Sequence, residues 1–462
     1  MKPLLALRPL QSAAAAALGY ESALVAAAPA RDESSEVTTR QIVLFVVTYI
    51  AYVAIYFARK PVSVVKSTLE SELGLSRAAL GGVDTALLTA YAAGQFMVGA
   101  IVSVFGRTAP LVAAYAVCGL MTAAFGFASS AGQMSVLWGV CGFFASSVHP
   151  LLVLYLTDLF PASLRATAIG LWQTSQQVGG IAANTAASAV LASKGWRAVF
   201  KFSGAIVVAF APILAAALLS GGRAAPAPPP PTKKAAAKAA PAKKSISTLA
   251  LPGLPSVGAA YTLVKMSRYC LMFWLPYFLS KQVGMDAASA AVMAAVFDLA
   301  GVLGSISTGF LCDSLFGGKM ILTTLPFIVA SGAAFAAWGA LCVVEKAGGK
   351  SLRSLHIAAM ALVGFAIASP DGVLGGAASR NLCDYAGLSS EAALAASASG
   401  VINGCGSVGA ILQGGLTAQL VDLVGWSGLY FTLAGAMAVT AAVLLPAIQI
   451  EARAVDAKAK AR

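Results

Sequence analysis

Arg59 and Lys60 stand side by side in "YFARKPVSVVKSTL", directly after "QIVLFVVTYIAYVAIYF", where seventeen residues carry no charge. A second cationic pair, Lys265 and Arg268, interrupts another apolar run, "LVKMSRYCLMFWLPYFL". Three positions apart, those two share one face if the run is helical. A guanidinium offers a planar fork of donors that fits phosphate or carboxylate oxygens, and an ammonium adds a point charge. The chemistry these residues could do is the binding of an anion. Two carboxylates, Asp298 in "AVFDLAGVLG" and Asp371 in "ASPDGVLGG", sit in equally apolar surroundings. Each reads as a counter-ion for Lys265 or Arg268, and proton coupling is the other role open to it. Arg59 alone has a second reading, as the end of the first helix with its side chain reaching back to lipid headgroups. Arg268 is less suited to it, because its apolar run continues. Asp84 in "GGVDTALL" reads as a first-turn charge near a helix start, and His149 before Pro150 as a hydrogen-bonded packing residue.

The elements that must position these groups follow from composition. Of 462 residues, 59% are hydrophobic and only 11% charged, with a mean hydropathy of +0.82. Soluble domains carry roughly a quarter charged residues, so the chain falls in the membrane class. The net charge of +13 raises nucleic acid as a partner, but no basic helix face or aromatic-basic interleaving supports one. The seven cysteines are scattered through mostly apolar segments without metal-ligand spacing, and read as small buried hydrophobes. There is no nucleophile–base pair, metal-ligand cluster or phosphate-cradling glycine loop, so neither an enzyme nor a cofactor is expected. The 45 glycines suit close helix packing in a membrane.

A spanning helix needs about 20 apolar residues. The pattern predicts an all-α membrane protein of twelve such helices, six near 41–58, 80–103, 109–129, 133–156, 166–192 and 198–220. Six more fall near 255–280, 287–311, 320–343, 355–379, 391–422 and 427–448. Between the sixes, residues 221–249 are rich in Pro, Ala and Lys and read as a flexible linker. Its cations, Arg223, Lys233, Lys234, Lys238, Lys243 and Lys244, place it and both termini on the cytoplasmic side. Lys346, Lys350 and Arg353, against Glu345, run counter to that orientation. Residues 1–39 read as a disordered tail, with a targeting extension as the alternative, and 450–462 as a basic tail. The two six-helix bundles, 40–220 and 250–449, repeat each other. "KGWRAVFKFSGA" recurs as "VGWSGLYFTLAGA", with Gly195-Trp196 and Gly425-Trp426 230 positions apart. Arg59 and Arg268 lie 209 apart, and Gly99 and Gly309 210 apart. Parallel repeats of this kind place a substrate site at mid-membrane between the halves, which is the major facilitator architecture.

At these residues the chain resembles the sugar-phosphate exchangers of solute carrier family 37, within the organophosphate:phosphate antiporters. "FARKPVSVVKSTL" is similar to their first-helix motif, and "LVKMSRYCLMFWLPYFL" to their seventh helix. "FDLAGVLGSISTGFLCDSLFGG" resembles the eighth and "SGVINGCGSVGAILQGG" the eleventh. The likeness spans about residues 40 to 449. It implies that Arg59 and Arg268 are the phosphate-binding arginines known in bacterial members, that Lys265 matches a lysine of the exchangers, and that Asp298 matches a common acidic residue. Gly309 and Asp313 match a gating motif that many facilitators share. The chain departs from the pattern at Gln176, where bacterial members carry histidine, and at Ser103 and Val104, where many facilitators carry Asp-Arg. Asp371 stands where an aromatic residue is expected.

The expectation is an antiporter that exchanges an organophosphate, either a sugar phosphate or glycerol 3-phosphate, for inorganic phosphate by alternating access. Arg59, Lys60, Lys265 and Arg268 would bind the substrate. A proton-coupled organic anion symporter using Asp298 or Asp371, and a non-transporting membrane sensor, are the alternatives. The partners expected are the small phosphorylated substrate, inorganic phosphate and membrane lipid, with the chain a monomer. Endoplasmic reticulum, plastid and plasma membrane all fit its multi-pass character.

Overall fold

A computed structural model describes residues 38–160, 162–219, 248–348, 352–388 and 392–460. Residues 1–37 of the tail expected over 1–39, most of the linker with its cations, and Lys350 lie outside the described residues. The described chain is helical throughout its ordered elements, with no strand among them.

The first rod is built from two pieces. Helix α1 (Thr39–Ile55) starts on a capping box, in which Thr38 and Gln41 exchange backbone and side-chain hydrogen bonds. A 3-10 turn, Tyr56–Ala58, follows, and α2 (Pro61–Leu73) resumes with Pro61 in its first turn, where the missing N–H costs nothing. The rod therefore runs from 39 to 73 rather than stopping near 58. The sequence reading ended it at the cations because their charge closes the apolar run. The chain continues because the cations turn inward, and headgroup snorkelling by Arg59 is ruled out.

The second to fourth rods are α3 (Arg77–Phe105), α4 (Thr108–Phe125) and the pair α5 (Ala131–Ala145) and α6 (Val148–Leu159). Next come α7 (Ala162–Gln173) and α8 (Ser175–Leu219). In the second set, α9 spans Leu254–Lys281, α10 Ala287–Ser314 and α11 Met320–Gly348. A π-helical turn, Val373–Ala377, joins α12 (Arg353–Gly372) to α13 (Ala378–Tyr385), and α14 runs Ala392–Lys460.

Eight of these stretches have the length and hydropathy of a membrane span. Two of the eight are bent pairs, α8 at Gly195 and α14 at Gly425. The two bends have nearly the same backbone, φ 75° and ψ 172° at Gly195 against φ 71° and ψ −178° at Gly425. Only glycine takes that conformation without strain. Each bend is followed by a buried tryptophan, Trp196 or Trp426, so the sequence repeat marks one turn used twice. With α3 and α9 added, the described rods number twelve.

Rods of the two sets meet closely at α3 and α14. A Cβ on Gly81 would lie 2.3 Å from the Gly414 carbonyl oxygen, and one on Gly414 would lie 2.8 Å from that of Gly81. The halves are also tied by charge at this end. Lys281 reaches Glu70 at 2.8 Å and Arg77 reaches Asp422 at 2.6 Å. Tyr277 donates to Glu70 at 2.7 Å and accepts from Arg77 at 3.0 Å. At the opposite end, Arg107–Asp158 and Lys319–Asp456 each stay within one set of rods. Glu451, fully buried, there accepts the N–H groups of Ile321 and Leu322 at 2.9 and 2.7 Å and caps α11.

Gly81→Ala should force the closed end apart, whereas Gly82→Ala, whose Cβ would meet nothing within 4 Å, should not. Spin labels at Ser71 and Gln282 report the gap, which should widen in the first variant alone. Equal distances in both would refute the close-approach argument.

Candidate functional site

A cavity of about 320 Å³ lies between the two sets of rods, within the size range of small-molecule sites. Arg59, Lys60, Lys265, Arg268, Asp298 and Asp371 all line it. The helix break after Ile55 brings the first two cations there. Arg59 follows the 3-10 turn, and Lys60 sits just before α2. Lys265 and Arg268 come from one face of α9, as their spacing requires.

One of the two carboxylates, Asp298, departs from the sequence expectation. Asp298 pairs with neither Lys265 nor Arg268, but with Lys60 of the other half at 3.4 Å. Asp371 pairs with Arg268. Lys265 instead donates to the Tyr261 hydroxyl at 2.9 Å and lies over the rings of Tyr261 and Tyr269 at 5.0 and 5.2 Å. Arg59 lies over Tyr56 and Tyr91 at 5.4 and 5.3 Å. Among the described residues, no carboxylate comes within 4.0 Å of Arg59 or Lys265. A cation over an aromatic face is stabilised by the ring quadrupole while its charge stays uncompensated.

The rest of the lining is polar and neutral. Gln173, Gln176 and Gln177, from the break between α7 and α8, face the cavity with His149 and Asn403. His149 Nε2 donates to the Gln173 side-chain oxygen Oε1 at 3.2 Å, which also accepts from Gln176 at 2.7 Å. Tyr56 donates to Gln176 at 3.3 Å. His149 is thus hydrogen-bonded, as the sequence reading expected. Gly180 lies beside the Lys60–Asp298 tie, where a Cβ would make ordinary contact with Lys60 Cε at 3.5 Å and Asp298 Oδ2 at 3.7 Å. Gly309 and Asp313 lie on α10 outside the cavity lining, Gly309 buried and Asp313 exposed.

The sequence profile of the Major Facilitator Superfamily matches residues 48–412. The chain belongs to the major facilitator superfamily. This facilitator is similar to the putative glycerol-3-phosphate transporter 2 of Arabidopsis thaliana, 26% identical over 452 residues, covering 90% of this chain and 88% of that protein. It is similar to sugar phosphate exchanger 3 of Bos taurus at 25% over 389 residues, covering 76% of each. The crystal structure of a D-xylose–proton symporter matches its fold with a TM-score of 0.66 at 14% identity, covering 87% of this chain and 97% of that one. The facilitator is accordingly an integral, multi-pass membrane transporter of twelve helices.

One charged pair of this facilitator escaped the sequence reading. Lys66 and Asp84 are both fully buried and paired to each other. Asp84 is the eighth residue of α3, which begins at Arg77, so it is not the first-turn charge expected. Lys66 also donates to the Phe273 carbonyl oxygen of α9 at 3.0 Å and lies 4.0 Å from the Trp274 ring centroid. It therefore joins α2 and α3 of one half to α9 of the other. The signal was present, since Lys66 stands in the same motif as Arg59 and sits one helix turn before Glu70. What spacing alone does not show is that α2 and α3 bring it against Asp84.

Removing one partner of a buried pair strands the other charge and costs about 3–5 kcal/mol, whereas apolar replacement of both is often neutral or stabilising. Asp84→Asn should lower the thermal unfolding temperature in detergent, and the Lys66→Met/Asp84→Leu double variant should recover it. A double variant less stable than the single would count against this account.

Proposed function

We propose that this facilitator exchanges an organophosphate for inorganic phosphate by alternating access. The observation that carries the reading is the convergence of four cations, two from each half, on one cavity that, among the described residues, holds only two carboxylates. Cations at membrane depth are costly, by about 2.5–3.5 kcal/mol each on insertion scales, and are normally compensated. An excess of two calls for an anionic ligand. A phosphoryl group, with three acceptor oxygens and about −1.5 to −2 charge near neutrality, supplies both charge and hydrogen-bond acceptors. The similarity to a putative glycerol-3-phosphate transporter and a sugar phosphate exchanger points the same way.

In this reading Arg59 and Lys265 meet the phosphoryl oxygens first, since no carboxylate holds them. Arg268 adds its fork while Asp371 remains beside it, and Lys60 contributes field across the Asp298 tie. Asp298 and Asp371 are engaged as counter-ions, which favours exchange over proton-coupled symport. Obligatory exchange follows from the charge balance. An empty cavity with two net positive charges resists the dehydration that closure on both sides demands, while an anion of either kind relieves it. The ties at one end fit one of the two states between which the halves would rock.

Proteoliposomes loaded with phosphate should take up labelled glycerol 3-phosphate or glucose 6-phosphate, and unloaded ones should not. Uptake that ignores internal phosphate but follows a proton gradient would replace exchange with symport. Arg59→Lys and Arg268→Lys should each lower uptake by about 10- to 100-fold, because a point charge cannot reproduce the bidentate fork. Retained uptake in both would remove the arginines from the site.

A further inference from the structure

We propose that Asp371 is the specificity-determining residue for cargo charge. It holds the cavity at two net positive charges, so that the carrier selects phosphate monoesters with an uncharged remainder and rejects those bearing a further carboxylate. This rests on the exchange reading above and narrows its substrate class.

The charges that face the cavity are Arg59, Lys60, Lys265 and Arg268 against Asp298 and Asp371, a net charge of +2. Their distribution matters as much as their sum. Lys60 is matched by Asp298 and Arg268 by Asp371. The two uncompensated cations, Arg59 and Lys265, come from opposite halves and face aromatic rings and a hydroxyl instead. A phosphate monoester, close to a dianion, neutralises that excess.

A ligand with an additional carboxylate would need a third free cation, and Arg268 is the remaining guanidinium. Asp371 already occupies it. The Asp371 side chain is only 14% exposed, and its Oδ1 is buried without a hydrogen-bond partner. An arriving anion would therefore meet a negative charge fixed beside Arg268. Like charges about 5 Å apart at an effective dielectric near 20 disfavour each other by more than about 100-fold, and an effective dielectric of about 50 still leaves about tenfold. The remaining lining is made of groups suited to hydroxyls. The amides of Gln173, Gln176, Gln177 and Asn403 bring donors and acceptors without charge.

Glycerol 3-phosphate and 3-phosphoglycerate make a matched pair, since they share a three-carbon frame and differ by a carboxylate in place of a hydroxymethyl group. Each is tested as an inhibitor of labelled phosphate self-exchange in phosphate-loaded proteoliposomes. In the parent protein, 3-phosphoglycerate should inhibit at least about tenfold more weakly. Asp371→Asn should shrink that gap to less than about threefold, and Asp371→Glu should restore it. Equal inhibition in the parent, or a gap unchanged by Asp371→Asn, overturns the proposal while phosphate self-exchange still supports the exchanger. If the parent shows no self-exchange, the exchange reading fails by itself. Charge selection is then read from thermal stabilisation of the detergent-solubilised protein by the same two compounds, where equal stabilisation overturns it. Should Asp371→Asn not fold, Asp371→Ser carries the same comparison.

Discussion

The arrangement of this protein depends on one electrostatic constraint, that charge placed inside a membrane-spanning bundle must be matched by something within reach. The bundle satisfies the constraint in three ways. Lys66 and Asp84 are removed from water together and matched one to one. Lys60 and Arg268 are matched by carboxylates but remain at the wall of a cavity. Arg59 and Lys265 are given only aromatic faces and a hydroxyl. The gradation runs from complete to incomplete compensation, and the incompletely compensated groups are those left for a ligand.

Closure and charge are linked through the same rods. The first rod carries Arg59 and Lys60 at its break, Lys66 nearly two turns further on, and Glu70 near its end. It therefore contacts the cavity, the buried pair and the tie to Lys281 in succession. Movement of this rod relative to α9 must disturb the cation pairs at several depths together. The small-residue crossing of α3 and α14 at Gly81 and Gly414 lets the backbones approach at the same end, so packing and charge close it jointly.

Much of the fold was legible in the sequence. Twelve apolar segments and the repeat around Gly195 and Gly425 each reflect a strong physical signal, hydropathy or a glycine-dependent turn. The cationic members of the site were legible too, because a charge inside an apolar run is conspicuous. The pairing of Lys60 with Asp298 was not. Whether Asp298 faces Lys60 or Lys265 depends on the rotation of α10 and on which half it meets, which spacing within one helix does not encode. The extent of the first rod was misread for a related reason. A charge reads as a boundary in one dimension and as a cavity wall in three. Lys66 and Asp84 went unpaired because they lie eighteen positions apart on different helices.

The bond from Lys66 to the Phe273 carbonyl has an evolutionary corollary. Its acceptor belongs to the peptide backbone, so every amino acid at position 273 presents the same oxygen. The side chain there is free to drift, to fill or reshape the neighbouring chamber, while the strut between the halves persists. A lineage could thus change what it carries without rebuilding how it swings.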